Sequence, residues 1–94
     1  MAINIVYPIN GGSYPITDPA PGILKSAYFT ASFSVTHGGD DSVEWGFDNS
    51  AAIGKSKFYD MISVQQVYKL PGGIHIFWVK SGGIVKQVRF KIGN

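Results

Sequence analysis

Two segments of the chain alternate strictly between apolar and polar residues, which is the pattern of a β-strand with one buried face. They span residues 28–36 and residues 42–48. Their apolar positions are Phe29, Ala31, Phe33 and Val35 in the first segment and Val43, Trp45 and Phe47 in the second. We therefore expect these seven side chains to face a hydrophobic core that Phe33, Trp45 and, from a later strand, Phe77 anchor.

Shorter segments rich in β-branched and aromatic residues fill most of the remaining chain, and turn residues separate them. Twelve glycines and five prolines supply these breaks, and no dozen residues show a clean helical period. The further predicted strands are residues 3–7, 14–17, 57–60, 62–70, 74–80 and 84–92. Residues 37–41 are predicted as a turn and residues 18–22 as a rigid, proline-rich loop. The pattern indicates an antiparallel sandwich or small barrel of about seven strands.

Residues 74–79 break the alternation, because both faces of this predicted strand are apolar. With His75, Phe77 and Val79 directed to the core, the side chains left on the outer face are Ile74, Ile76 and Trp78. An apolar row on an outer face often marks an interaction surface. Three interpretations remain open: cover by the loop 18–22, a subunit contact, or a carbohydrate-stacking platform on Trp78 with Glu44 and Gln87 as polar neighbours.

Self-association is the partner that this apolar row favours, since a symmetric dimer needs only a self-complementary patch. We expect the contact to lie on the sheet that contains Ile74, Ile76 and Trp78, with Lys80 and Glu44 near its rim. A Trp78→Glu variant is then expected to be a folded monomer. A glycan is the other candidate partner.

Composition limits the alternatives. At 94 residues the chain is predicted to form a single domain, residues 1–94, and its 45% hydrophobic against 15% charged residues indicate a folded one. The absence of cysteine excludes thiolate catalysis, zinc–thiolate sites and iron–sulfur clusters. A formal net charge of +2 is too small for a nucleic-acid binder that neutralises phosphates.

Charge is distributed unevenly along the chain. Residues 1–48 carry a net charge of −4, and residues 49–94 carry +6. In a sandwich the two halves interleave, so we interpret the asymmetry as intramolecular charge complementarity. A head-to-tail contact between molecules is the alternative.

Signals for an enzyme are weak, and the chain is predicted to be non-catalytic, without a metal or cofactor. The two histidines, His37 and His75, have no spacing that places both with a carboxylate on one element. His75 is expected to be packed with a backbone partner. Four carboxylates cluster in the sequence, at Asp40, Asp41, Glu44 and Asp48, but they lack the spacing of a calcium loop.

No targeting segment is recognised. The first eight residues lack a basic start and a long apolar run, and no stretch approaches the ~20 apolar residues of a membrane span. No membrane insertion is expected, and the compartment stays unknown. The chain is either cytoplasmic as it stands or excised from a larger secreted protein.

The order of short motifs resembles the bacterial Ig-like and fibronectin-III-like modules of secreted glycoside hydrolases and surface proteins. The motifs are Tyr7-Pro8-Ile9-Asn10-Gly11-Gly12-Ser13-Tyr14, then Val43-Glu44-Trp45-Gly46-Phe47, then Pro71-Gly72-Gly73-Ile74-His75. The resemblance implies an Ig-like β-sandwich and the role of a spacer, stabiliser or adhesive module. Two departures stand out: His75 replaces an inward tyrosine, and Ile74, Ile76 and Trp78 replace polar outward residues. The expected function is a non-catalytic binding or assembly module, and the alternative is a plain structural spacer.

Overall fold

The protein is all-β in a computed structural model that describes residues 1–15 and 26–93. The strands are β1 Ala2–Tyr7, β2 Ser13–Tyr14, β3 Ser26–Phe47, β4 Gly54–Pro71, β5 Gly73–Ser81 and β6 Ile84–Ile92. They form one curled sheet with the order β1-β3-β5-β6-β2, and β4 pairs with the remaining edge of β3. The predicted proline-rich loop 18–22 lies outside the described residues.

The two alternating segments belong to one long strand, β3, and not to two strands joined by a turn at residues 37–41. The ladder between β3 and β4 shifts register between Thr36 and Asp40, where β3 holds extra residues. Gly39 in β3 and Asp60 in β4 both take positive φ there, at 133° and 65°. Glycine takes such an angle without steric cost, and aspartate enters the left-handed region more readily than most residues, so the hairpin bends at this point and its pairing resumes beyond it.

The bend folds β3 back on itself, so that its two halves face each other. The ring centroids of Phe29 and Phe47 lie 5.6 Å apart. A straight strand would separate these residues by roughly 60 Å, at about 3.3 Å per residue. Phe33 and Trp45 meet in the same way, with ring centroids 5.1 Å apart. One bent hairpin thus supplies both walls of the core.

The predicted inward positions are confirmed by their burial. The side chains of Phe29, Ala31, Phe33, Val35, Val43, Trp45, Phe47, Phe77 and Val79 all belong to the buried core. The seven-stranded sandwich is not confirmed, because the described residues form six strands in a single half-barrel-like sheet. The strands predicted at residues 57–60 and 62–70 are parts of one strand, β4, which runs unbroken past the bend.

The hairpin of β5 and β6 sets the geometry of the outer face. Gly82 and Gly83, with φ of 55° and 80°, form the predicted two-residue turn, whose positive φ values match the twist of the strands. The resulting register places Trp78 opposite Gln87. At the other end of the hairpin, the arm at residues 9–14 runs along β6, and Ser13 pairs with Lys91.

Replacing Trp45 by alanine is expected to cost about 3–5 kcal/mol of unfolding free energy, because it opens a cavity between the two halves of β3. Trp45 is 6% exposed, and its indole Nε1 donates a hydrogen bond of 2.8 Å to the Tyr68 hydroxyl. A domain of this size has only about 5–10 kcal/mol in total. Urea unfolding measures the loss, with Tyr59→Ala, at an exposed position, as the control. An unchanged midpoint for Trp45→Ala would show that this ring does not hold the core together.

Candidate functional site

The outer face of β5 carries the three apolar residues Ile74, Ile76 and Trp78, which we call the β5 stripe. Ile74 is 58% exposed, whereas Ile76 and Trp78 are partly buried. The opposite face of the strand, with His75, is packed in the core. The structure thus brings the stripe to one surface, but only Ile74 is largely exposed there.

The indole of Trp78 lies over the neighbouring strand at Gly46, its direct partner in the ladder. A Cβ placed on Gly46 would stand 2.6 Å from Cζ2 and 2.9 Å from Cε2 of the indole, and 3.3 Å from the Ala51 carbonyl oxygen. The missing side chain of Gly46 therefore makes the room that the ring occupies. The indole of Trp78 therefore packs against the backbone of β3 at Gly46.

Polar and charged residues of β6 lie directly beside the stripe. Arg89 pairs with Ile76 and Gln87 with Trp78, so their side chains share the outer face. Gln87, predicted from the sequence as a site residue, is thus the immediate neighbour of the indole. Lys91, opposite Ile74, and Arg89 were not predicted, because their positions follow from the hairpin register and not from any local motif.

Glu44, the remaining predicted site residue, stands one step from the stripe. It pairs with Lys80 on β5 and with Lys55 on β4. Its carboxylate Oε2 lies 3.8 Å from Lys55 Nζ. Because both groups are partly or largely exposed, this ion pair contributes little stability. It does place an acidic group of the outer face between two lysines.

The surface around the stripe is cationic. The side-chain nitrogens of Arg89, Lys91 and Lys80 make no ion pair or hydrogen bond to any described residue. A shallow depression next to Ile74 is lined by Arg89, Lys91 and the loop at residues 10–13. Such a surface can receive an anionic or hydroxyl-rich group beside an apolar contact.

The loop that borders this depression is held against β6 by hydrogen bonds. Gly11 N donates to the Arg89 carbonyl at 2.7 Å, and Lys91 N donates to the Gly12 carbonyl at 2.9 Å. The Asn10 side-chain oxygen accepts from Arg89 N at 3.0 Å. These bonds fix the backbone that carries Arg89 and Lys91, and so their spacing beside the stripe.

Asp48 holds the middle of the stripe, at Ile76, and also contacts His75. Asp48 Oδ1 accepts a hydrogen bond of 2.9 Å from Ile76 N, and Asp48 N donates one of 2.7 Å to the Ile76 carbonyl. Asp48 Oδ2 lies 2.8 Å from His75 Nδ1, and His75 Nε2 lies 2.8 Å from the Pro71 carbonyl oxygen. Since a carbonyl oxygen only accepts, Nε2 carries a hydrogen and donates. His75 therefore packs with a backbone partner and a carboxylate, at 8% exposure.

The acidic residues Asp41, Glu44 and Asp48 do not converge. Asp48 pairs with His75 and Glu44 with Lys55. Asp41 Oδ2 lies 3.0 Å from His37 Nδ1, with an angle that does not make a hydrogen bond. Within residues 1–15 and 26–93 no three histidine or carboxylate side chains come close enough to hold a metal ion. In the same ranges no helix is long and apolar enough to cross a membrane.

Comparison with protein-family models, with curated proteins and with solved structures finds no match for this chain.

Asp48→Ala is expected to lower the free energy of unfolding by about 2–4 kcal/mol, since it removes the acceptors of Ile76 N and His75 and leaves alanine at positive φ. Asp48 has φ 55°. Asp48→Asn tolerates this angle and keeps an oxygen for Ile76 N, so its loss is expected to be about 1 kcal/mol or less. Urea denaturation compares the two variants. Equal losses would show that the acceptor oxygen for Ile76 N is not what secures this end of β5.

Gly46→Ala tests the packing of the Trp78 indole on the backbone of β3. The added methyl group overlaps the indole, so the variant is expected to lose about 1–3 kcal/mol of unfolding free energy. In a Trp78→Ala background the same methyl group meets no indole. A double-mutant cycle by thermal or urea unfolding should therefore give a smaller loss for Gly46→Ala in that background. Additive losses would contradict the packing of the indole on Gly46.

Proposed function

We propose that this chain is a non-catalytic binding module directed at carbohydrate, with Trp78 as the stacking platform of its outer face. The observation that carries the proposal is the packing of the Trp78 indole over Gly46. The indole packs over the neighbouring strand and is still partly exposed, so a ligand can reach it from the solvent side. The apolar C–H face of a sugar ring is suited to such a flat aromatic surface.

The neighbours of the indole supply the polar contacts that a sugar needs. Gln87, directly beside it, offers both an amide donor and an acceptor to hydroxyl groups. Arg89 lies one pair further along the stripe and offers a planar fork of donors. Because Arg89, Lys91 and Lys80 make the face cationic, we expect a glycan that carries carboxylate groups to bind more tightly than a neutral one.

Self-association through the β5 stripe stays a prediction, and the same cations weigh against it. A two-fold contact of this face with its own copy would bring Arg89 and Lys91 of one molecule towards the same residues of the other. Like charges that meet in an interface cost several kcal/mol. A partner with hydroxyl or carboxylate groups avoids that cost, and for this reason the proposal favours a glycan.

The resemblance to bacterial Ig-like modules remains part of the proposal. What supports it is an all-β fold in which the two halves of one bent hairpin face each other over an aromatic core. The plain spacer remains the alternative function. In a spacer, Trp78 would serve only to cover Gly46 and the loop after it.

Trp78→Ala is expected to abolish binding of acidic oligosaccharides, while Trp78→Phe, which keeps a ring, is expected to retain part of it. Isothermal titration calorimetry with a uronic-acid oligosaccharide and its neutral counterpart measures both. Tyr59→Ala is the matched control, because Tyr59 is an aromatic residue 69% exposed on the outer side of β4. Arg89→Gln should weaken binding of the acidic sugar and reduce its dependence on salt.

Two results would overturn the proposal. A wild-type chain that binds neither sugar at millimolar concentration acts as a spacer. A chain whose binding survives Trp78→Ala but is lost in Tyr59→Ala uses another surface.

A further inference from the structure

We propose that the open edge of β4 pairs with the β4 edge of a second copy of this chain, in antiparallel fashion around a two-fold axis. The pairing region is the uncharged segment at residues 61–67. Within the described residues, β3 is the one strand that β4 pairs with, so the other edge of β4 is open along this segment. The proposal is independent of the glycan-binding face, which lies on β5 and β6.

The hydrogen bond between Lys86 and Ile3 shows which peptide groups face this open edge. Lys86 Nζ donates to the Ile3 carbonyl oxygen at 3.1 Å, so the Ile3 carbonyl points away from β3. Ile3 stands opposite Val35, and in an antiparallel ladder both members of such a pair point away from each other. Val35 therefore directs its peptide groups towards β4.

The direction of the β4 peptide groups follows from the alternation along the strands. Ser34, the neighbour of Val35, directs its peptide groups towards β1, so its partner Ser63 directs its own away from β3. The unbroken register from Thr30 to Thr36 extends this orientation to every second residue of β4. The residues of the segment that present a free N–H and C=O at the edge are Met61, Ser63, Gln65 and Val67.

The half of β4 before the bend has the same orientation but a different composition. The carbonyl of Trp45 accepts a hydrogen bond of 2.8 Å from Ile53 N, so it points towards the β4 side. Glu44 then points towards β5, and its partner Lys55 directs its peptide groups to the open edge. Lys55 and Lys57 place charges on that part of the edge, which opposes strand pairing. The segment at 61–67 has no such protection.

A second copy is the occupant that the sequence of this segment fits. When Ser63 is placed opposite Gln65 of the copy, Met61 stands opposite Val67 of the copy, and the two-fold axis passes beside Val64. This register joins every free N–H and C=O of the segment to a partner. It also pairs two apolar side chains that the single chain leaves 61% and 60% exposed, Met61 and Val67. The contact is short, so we expect a dimer of modest affinity, in about the micromolar to millimolar range.

Charge placed on the edge tests this register. The double variant Ser63→Lys/Gln65→Lys brings like charges opposite each other across the axis, and we expect it to be monomeric. Ser63→Lys/Gln65→Glu brings opposite charges together and should dimerise at least as well as the wild type. Both side chains are exposed, so neither variant should disturb the fold, which circular dichroism and thermal melting check. Analytical ultracentrifugation up to about 1 mM compares the variants with the wild type.

Two further variants complete the experiment. Gln65→Pro removes an N–H that faces the edge, and it should give a folded monomer, because proline is tolerated where no ladder bond is lost. Trp78→Glu changes the β5 stripe alone and should stay dimeric. Glycan binding by the lysine double variant should match the wild type, which separates this proposal from that of the binding face.

Three results would overturn the proposal. They are a wild-type chain that stays monomeric over the whole concentration range, a lysine double variant that dimerises like the wild type, and a monomeric Trp78→Glu variant. The last result would place the contact on the β5 stripe.

Discussion

The bend in the hairpin of β3 and β4 determines the position of every other element. Pairing between the two strands continues on both sides of Gly39 and Asp60, so the backbone hydrogen bonds of the long ladder survive the change of direction. Because the strand folds back, residues far apart in sequence, such as Phe33 and Trp45, come into contact. A chain of 94 residues thereby gains two walls of aromatic side chains without a second sheet.

The candidate binding face depends on the same bend. Before it, one edge of β3 pairs with β1; after it, the same edge pairs with β5. This succession gives β5 a partner on each side, β3 and β6, and makes it an inner strand of the sheet. Trp78 can lie over Gly46 because this pairing sets the two residues opposite each other. Asp48 then holds β5 where β3 ends, through its bonds to Ile76 and His75.

The curled sheet has strand edges without a partner strand among the described residues, and these edges are covered to different extents. The arm at residues 9–14 covers the end of β6. The Lys86 side chain donates a hydrogen bond to the Ile3 carbonyl at the edge of β1. Lysines stand on the early part of the β4 edge. Glu44 from the acidic half of the chain pairs with Lys55 from the basic half. Most basic residues of the outer face have no acidic partner in the described ranges. The positive charge of the outer face is therefore largely unbalanced among the described residues.

The alternation in residues 28–36 and 42–48 was enough to predict which of their side chains are inside, because the period of a β-strand is two and does not depend on the partner strand. The sequence also determined the hairpin at Gly82 and Gly83, since two glycines accept the positive φ that the turn requires. It could not distinguish a bend from a turn at residues 37–41, because glycines allow both and only the packing of Phe29 on Phe47 selects the bend. The packing of Trp78 on Gly46 and the cations beside the stripe could not be predicted in this way. Both depend on the register between strands that are distant in sequence, which only the folded structure sets.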